Sequence, residues 1–374
     1  MDVVGRLGSL GSLGAYGAYG AYGPGARTLT AAVHTLVNLL PQRLYQRAFR
    51  VRDGRSRCAH VAGSRLTRMR APTWSADSFP SGPTFPVPAN LRAGLARNDS
   101  PERKAWLKAL PDRVADLARR WSLALSQPFE PGGNGAWVAP ARSAGGEDAV
   151  LKVGWTHTEA RDEAEGLAVF GGEGAVEVYA YEHDGPTTAL LLERCRPGLE
   201  LRTRPEPEQH EVIIDLLHRL WKAQLPADHR FRPLAIMCDV WADQSAAAHA
   251  REPGLLDPSL VRQGLAAFRA LPRTAERSVL LCTDLHAGNV LSGERRTWLL
   301  IDPKPYIGDP HYDVLQHLLN CTDTLHRDPH RLLRRVSELA GLDADRVQQW
   351  LFARCVQGSP GWPALAPVAQ QLAP

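Results

Sequence analysis

The order of elements along the chain predicts an α+β protein, with a small β-rich lobe followed by a larger helical lobe. Three observations carry this. Between residues 136 and 193, short apolar runs alternate with turn-rich stretches. Beyond Pro197, helical periodicity dominates. Ahead of both, residues 1–84 have the composition of a disordered extension without a core of its own. The predicted units are an extension at 1–84, a first lobe at 85–195 and a second lobe at 196–374.

Residues 9–25, SLGSLGAYGAYGAYGPG, repeat with a three-residue period and are too rich in glycine to order. From Pro41 to Arg70 the chain is Arg-rich and acid-poor. Targeting presequences and nucleic-acid arms share that composition, but a tail without fixed structure is the simpler expectation. Met69 is one of three methionines and precedes the return to ordinary composition, so translation is a candidate to begin there. Residues 72–89 are a Pro/Ser-rich linker. Ser100-Pro101 then reads as an N-cap with proline at the first helical position, opening a helical pair that runs to about Ser126.

Strands are predicted at Ala136 to Pro140 and Asp148 to Val153. Thr156-His157-Thr158-Glu159 has capping-box spacing and opens a helix to about Phe170. Val176 to Tyr181 and Thr187 to Glu193 read as strands. Helices follow at Glu208 to Gln224, Asp257 to Ala270, Pro310 to His326 and Pro329 to Ala340.

Composition bounds the function. No run approaches the roughly 18 to 20 apolar residues that cross a bilayer, so no membrane partner is expected. The 6 cysteines form no CxxC pair, which argues against a zinc site and a secreted disulfide framework and favours a reducing cytoplasm. The net charge of +4 is uneven: residues 1–75 hold eleven Arg and two Asp, or +9. The remainder holds 33 basic and 38 acidic residues, or −5, which suits a cationic small substrate better than nucleic acid.

Leu280 to Asn320, LLCTDLHAGNVLSGERRTWLLIDPKPYIGDPHYDVLQHLLN, carries the densest chemistry. Leu280 to Cys282 lead into Asp284, and Trp298 to Ile301 lead into Asp302. Leu-Ser-Gly-Glu-Arg-Arg between them reads as a hairpin connection, so the two runs are expected to return side by side. Asp284, Asn289 and Asp302 then converge at one edge. Magnesium takes a few hard oxygen ligands from protein and leaves the rest to water and phosphate. A carboxylate ahead of that site can accept the proton of an attacking hydroxyl. This is the layout of a phosphoryl-transfer centre.

Lys152 sits in the β-run Ala149-Val150-Leu151-Lys152-Val153 and shares a face with Val150 by alternation. It either snorkels or meets an anion. In the following helix Ala160, Glu163, Ala164, Leu167 and Phe170 form one stripe. Glu163 is thus the acid that points inward and needs a cationic partner, and a Lys152–Glu163 pair would hold the ammonium over phosphates. Pro131-Gly132-Gly133-Asn134-Gly135 suits a backbone cover for phosphates, with Gly133 and Gly135 permitting close approach. The same run also makes a good hairpin turn.

Cys282-Thr283-Asp284-Leu285-His286-Ala287-Gly288-Asn289 with Ile301-Asp302-Pro303-Lys304 resembles the aminoglycoside phosphotransferases. Asp-Pro-Lys, Gly308-Asp309-Pro310 and Tyr312-Asp313 resemble the streptomycin 6-phosphotransferase, or aminoglycoside/hydroxyurea resistance, branch. The resemblance spans roughly Phe85 to the C-terminus. It implies a protein-kinase-like bilobal fold and ATP- and Mg2+-dependent phosphorylation of a hydroxyl on a small molecule, such as streptomycin.

On that resemblance Asp284 is the catalytic base, Asn289 and Asp302 are the magnesium ligands, and Lys152 with Glu163 holds phosphate. Leu190 to Cys195 would meet adenine through backbone groups, placing Glu193 and Cys195 at the nucleotide. Lys304 would reach a phosphate oxygen, or else lie solvated at the surface. His286 orders the loop. Asp313 braces the catalytic-loop backbone, or interacts with the helix dipole.

One departure stands out: the usual His-Gly before the catalytic acid is Cys282-Thr283, so a histidine contact to the following segment is lost. A catalytically silent nucleotide-binding protein is the alternative, although Lys152, Asp284, Asn289 and Asp302 are all present. Nucleic-acid binding by the Arg-rich segment lacks aromatics at a stacking spacing. Another small alcohol as acceptor is a further alternative, and Asp239, Asp243 and Asp257 are the candidate acids for a cationic one.

Overall fold

The computed structural model describes residues 85–96, 100–133, 135–158 and 160–374. The extension with Met69, Asn134 of the glycine run and Glu159 of the capping box lie outside these residues. Two helices come first, α1 (Ala89–Ala96) and α2 (Pro101–Arg120). The Ser100 side chain accepts a hydrogen bond from the Arg103 amide and Pro101 takes the first helical position, as the sequence predicts. The helical stretch ends at Arg120, short of Ser126. Ser122 turns the chain with φ +54°, and β1 (Leu123–Leu125) follows.

Five antiparallel strands form the sheet of the first lobe: β1, β2 (Ala136–Ser143), β3 (Asp148–Trp155), β4 (Val178–Asp184) and β5 (Thr187–Glu193), in the order β1-β2-β3-β5-β4. Alternation along β3 sends Ala149, Leu151 and Val153 to one face and Val150 and Lys152 to the other. The first face packs on α1 and α2 in a core of its own, with Trp106, Leu110, Val114 and Trp137. The Trp106 indole N–H donates to the Thr187 hydroxyl at 2.9 Å and ties α2 to β5.

The helix α3 (Glu163–Phe170) begins six residues later than the capping-box pattern predicts. The Thr156 amide donates to the Pro186 carbonyl at 2.7 Å, and its hydroxyl lies 2.7 Å from that of Thr188. Thr156 therefore stays bonded to the sheet edge and cannot cap a helix. Val176 likewise falls outside β4, because its amide donates to Leu300 at 3.0 Å, joining the two lobes.

The second lobe carries α4 (Glu206–Leu220), α5 (Leu234–Arg251) and α6 (Pro258–Ala270). Short strands follow: β6 (Val279–Leu281), β7 (Val290–Ser292), β8 (Trp298–Leu300) and β9 (Tyr306–Gly308). The hairpin forms, but its strands are β7 and β8; the run into Asp284 pairs instead with β9. The predicted helix over 310–326 is three short ones, α7 (Pro310–Asp313), α8 (Leu315–Asn320) and α9 (Thr322–Arg327). Cys321, with ψ +54°, turns the chain between the last two. The chain closes with α10 (Pro329–Ala340), α11 (Ala344–Gly358) and α12 (Leu365–Leu372). A continuous core runs from α3 and β5 through the helices of the second lobe. This is the small β-rich lobe and larger helical lobe that the sequence predicts. Among the described residues no helix is long and apolar enough to cross a membrane.

Candidate active site

Lys152 extends from the inner face of β3, and its ammonium lies 2.7 and 2.8 Å from the two carboxylate oxygens of Glu163. Glu163 is 1% exposed at the start of α3. Burial pushes its carboxyl pKa up, against the pull of Lys152. The same ammonium lies 2.6 Å from Asp302 Oδ1, which also accepts from Lys304. Burial works to raise the Asp302 pKa, but Lys152 and Lys304 hold it well below the usual carboxylate range. The Asp302 side chain keeps 36% exposure, and its second oxygen makes no hydrogen bond among the described residues. A hard oxygen therefore stays available at the mouth of the cluster.

Asp284 is buried after β6, at the end of a tight three-residue turn. Its amide donates back to the Cys282 carbonyl at 2.7 Å, across Thr283 with φ +49°. Asp313 holds this turn: its carboxylate accepts from the Cys282 amide at 2.9 Å, the Thr283 amide at 2.7 Å and the Trp221 indole at 3.0 Å. Full burial raises the Asp313 pKa to about 6, while the indole and amide donors work in the opposite direction. The Thr283 hydroxyl donates to the Lys304 carbonyl at 2.6 Å, and the Lys304 amide to the Cys282 carbonyl at 2.8 Å. The loop before Asp284 and the loop after Asp302 are thus sewn together at Cys282-Thr283, where the sequence breaks the family pattern.

Asn289 spends its side-chain N–H on the Asp284 carbonyl at 3.0 Å, which leaves its amide oxygen as an acceptor. His286 accepts from the Gly288 amide at 3.0 Å through Nδ1, so it orders the loop turn. Its other nitrogen is 4.0 Å from Asp284, too far for a hydrogen bond. On the opposite lobe, Asn90 of α1 clamps the glycine run, accepting from the Gly132 amide at 3.1 Å and donating to the Gly132 carbonyl at 2.6 Å. A side chain at Gly133 would crowd the Ala136 carbonyl at 3.2 Å, whereas Gly135 has open space around it.

The predicted nucleotide strand is less free than the sequence suggests. The Glu193 carboxylate accepts from Arg295 at 2.7 and 2.9 Å, and its amide donates to the Glu177 carbonyl at 2.8 Å. Cys195 is half-buried, and burial pushes its thiol up to about 12. Nor do the candidate acids line the site. Asp239 pairs with Arg273 at 2.6 Å, Asp243 with Arg269 at 2.5 Å, and Asp257 caps α6 through the Ser259 amide at 2.7 Å.

A small cavity opens beside Asp284, between Thr283 and Lys304 on one side and Met237, Trp241, Tyr306, Tyr312, Gln316 and Arg354 on the other. Sequence reasoning assigned no site role to Met237, Trp241, Tyr306, Tyr312, Gln316 or Arg354. For Arg354 a signal existed: it falls on the apolar stripe of α11 with Val347, Trp350 and Leu351, as Glu163 does on its own helix. Gly166 was also passed over. A Cβ there would stand 2.3 Å from the Pro305 ring, so α3 touches the loop that follows Asp302.

A partly buried lysine between two acids, a carboxylate beside a cavity and a carboxamide next to it can together hold phosphate charge and accept a proton. The family model described as aminoglycoside/hydroxyurea antibiotic resistance kinase matches residues 120–364. The chain is 32% identical over 300 residues to a streptomycin 6-kinase of Streptomyces glaucescens, covering 77% of this chain and 95% of that one. It is 32% identical over 280 residues to a hydroxyurea phosphotransferase of Kitasatospora aureofaciens, covering 74% and 80%. Among solved structures, the macrolide 2′-phosphotransferase MphH of Brachybacterium faecium aligns with a TM-score of 0.45 at 20% identity, over 70% of this chain and 96% of that one. The protein is a phosphotransferase that acts on a hydroxyl group of a small molecule. It belongs to the aminoglycoside/hydroxyurea antibiotic resistance kinase family.

Proposed function

We propose that the chain moves the γ-phosphoryl group of ATP to the hydroxyl of a small molecule bound beside Asp284. The observation that carries this is one unbroken chain of contacts: Glu163 to Lys152 to Asp302 to Lys304, and from Lys304 through Thr283 to Asp284 and Asn289.

Asp284, ionised, accepts the proton of the acceptor hydroxyl as its oxygen bonds to the γ-phosphorus, while the bond from that phosphorus to the ADP oxygen breaks. Lys152, oriented by Glu163, offsets phosphate charge, and the clamped glycine run covers the phosphates with backbone amides. The free oxygens of Asp302 and Asn289 are hard donors that fit magnesium. Mg2+, when bound, supplies charge neutralisation at the phosphates. Lys304 supports Asp302, and Asp313 and His286 hold the loop that carries Asp284. Leu190 to Cys195 remains the candidate adenine strand.

The names of the relatives bracket two acceptor classes, a polycationic aminoglycoside and a compact neutral molecule. A cationic aminoglycoside such as streptomycin is the first reading. The lining of the cavity, with one acid and two basic residues, favours the second. Asp284→Ala should abolish phosphoryl transfer while leaving nucleotide binding intact. Near-normal turnover by that variant would overturn the assignment of the base.

A further inference from the structure

We infer that Arg354 determines acceptor specificity, selecting a compact hydroxyl compound that presents a carbonyl or carboxylate oxygen to its guanidinium. The inference rests on the reading of Asp284 as the base of the phosphotransfer site. Arg354 is 3% exposed, yet it lines the cavity that holds Asp284. Among the described residues no carboxylate lies within ion-pair reach of it. Its neighbours among the described residues are neutral: the Gln357 side-chain oxygen at 2.5 Å, the Trp241 ring at 5.2 Å and the Tyr312 hydroxyl.

A buried guanidinium without a counter-anion is costly, and its five N–H donors outnumber those neutral partners. An acceptor oxygen entering the cavity would complete the set, and the planar fork suits a carbonyl or carboxylate. The acids that a polycation would need are elsewhere. Met237 and Trp241 sit one turn apart on the face of α5 that lines the cavity, and Asp239 and Asp243 are offset by two residues, or about 200° of helix. Both are held by arginines. Asp284 is the one acid in the lining among the described residues, and the reaction itself uses it.

The test compares ADP release by the full-length protein, with ATP and Mg2+, against hydroxyurea, D-glycerate and streptomycin. The expected result is a kcat/KM for hydroxyurea or glycerate at least tenfold above that for streptomycin. Arg354→Gln should raise KM for the favoured compact acceptor tenfold or more with a smaller change in kcat. Arg354→Lys, which keeps the charge and loses the fork, should fall between. Affinity for a fluorescent ATP analogue, within twofold of wild type, reports that each variant is folded. A preference for streptomycin in the wild type, or an unchanged acceptor KM in Arg354→Gln, overturns the inference while leaving the phosphotransfer reading in place. No acceptor-stimulated ADP release with any of the three, accompanied by background ATP hydrolysis that Asp284→Ala leaves undiminished, means that the underlying reading itself fails.

Discussion

The Thr283 hydroxyl and the Lys304 carbonyl are 2.6 Å apart, and this hydrogen bond, beside that from the Lys304 amide to the Cys282 carbonyl, joins the loop that ends in Asp284 to the loop that begins at Asp302. Thr283 makes the bond from a left-handed backbone, φ +49°, which a β-branched residue seldom adopts. Glycine takes such a conformation without strain. Thr283→Val keeps the strain and removes the bond, and should cost about 1–2 kcal/mol of stability. Thr283→Gly removes both, so the two effects, each about 1 kcal/mol, should nearly cancel in thermal melts. Both variants should lower kcat about tenfold, because the positions of the two acids are then set less tightly. If Thr283→Val matches wild type in both melting and kcat, the bond does not couple the loops.

Lys152 and Glu163 should behave as one unit. Removing one partner of a buried ion pair leaves an uncompensated charge and costs about 3–5 kcal/mol. Lys152→Met, which leaves Glu163 buried without its cation, is expected to destabilise strongly, Glu163→Gln by less because Asp302 still neutralises Lys152, and the double variant by clearly less than the sum. Denaturant unfolding of all four proteins measures the coupling. An additive result would mean that the contact carries no energy of its own.

Asp313 links activity to pH. Its native pKa of about 6 lies above that of an ordinary aspartate, so the folded state takes up the proton more readily than the unfolded chain. The stability from this group is therefore present below about pH 4 and lost as pH rises through about 6. Function runs the other way, since the ionised carboxylate best accepts the amides of Cys282 and Thr283. The kcat should fall as pH drops below about 6, and Asp313→Asn should flatten that limb at a lower plateau. A pH–rate profile of both proteins decides the matter; an unchanged limb in the variant would assign the titration to another group.

Gly166→Ala places a methyl group 2.3 Å from the Pro305 ring, which cannot swing aside like a flexible side chain. Overpacking of this kind costs about 1–3 kcal/mol. Because α3 carries Glu163 and the Pro305 loop follows Asp302, KM for ATP should also rise. Thermal melts and nucleotide titration check both effects, and a variant that melts and binds like wild type would show that the two segments can part freely.

Much of the candidate site was legible because its residues break local rules. Lys152 on an apolar strand and Glu163 on an apolar stripe each demand a partner, and alternation with helix phase suffices to pair them. The start of α3 was not legible: Thr156 is occupied by strand neighbours distant in sequence, so a sound capping box goes unused. The partner of β6 was misread for a similar reason, since both β8 and β9 offer short apolar runs and only tertiary packing chooses between them. The cavity wall was hidden because Trp241, Tyr312 and Arg354 come from three separate helices.

The sheet of the first lobe separates two interiors. Trp137, Leu151 and Val153 face α1 and α2, while Lys152 faces the candidate site. The match to the kinase family begins at residue 120, so most of the helical cover on the far side lies ahead of it. Changes to the apolar residues of that far face alter how long the folded protein lasts without meeting a reacting atom; changes on the near side alter how it holds phosphate. Durability and chemistry therefore answer to different residues, and a lineage or an engineer can adjust one while leaving the other alone.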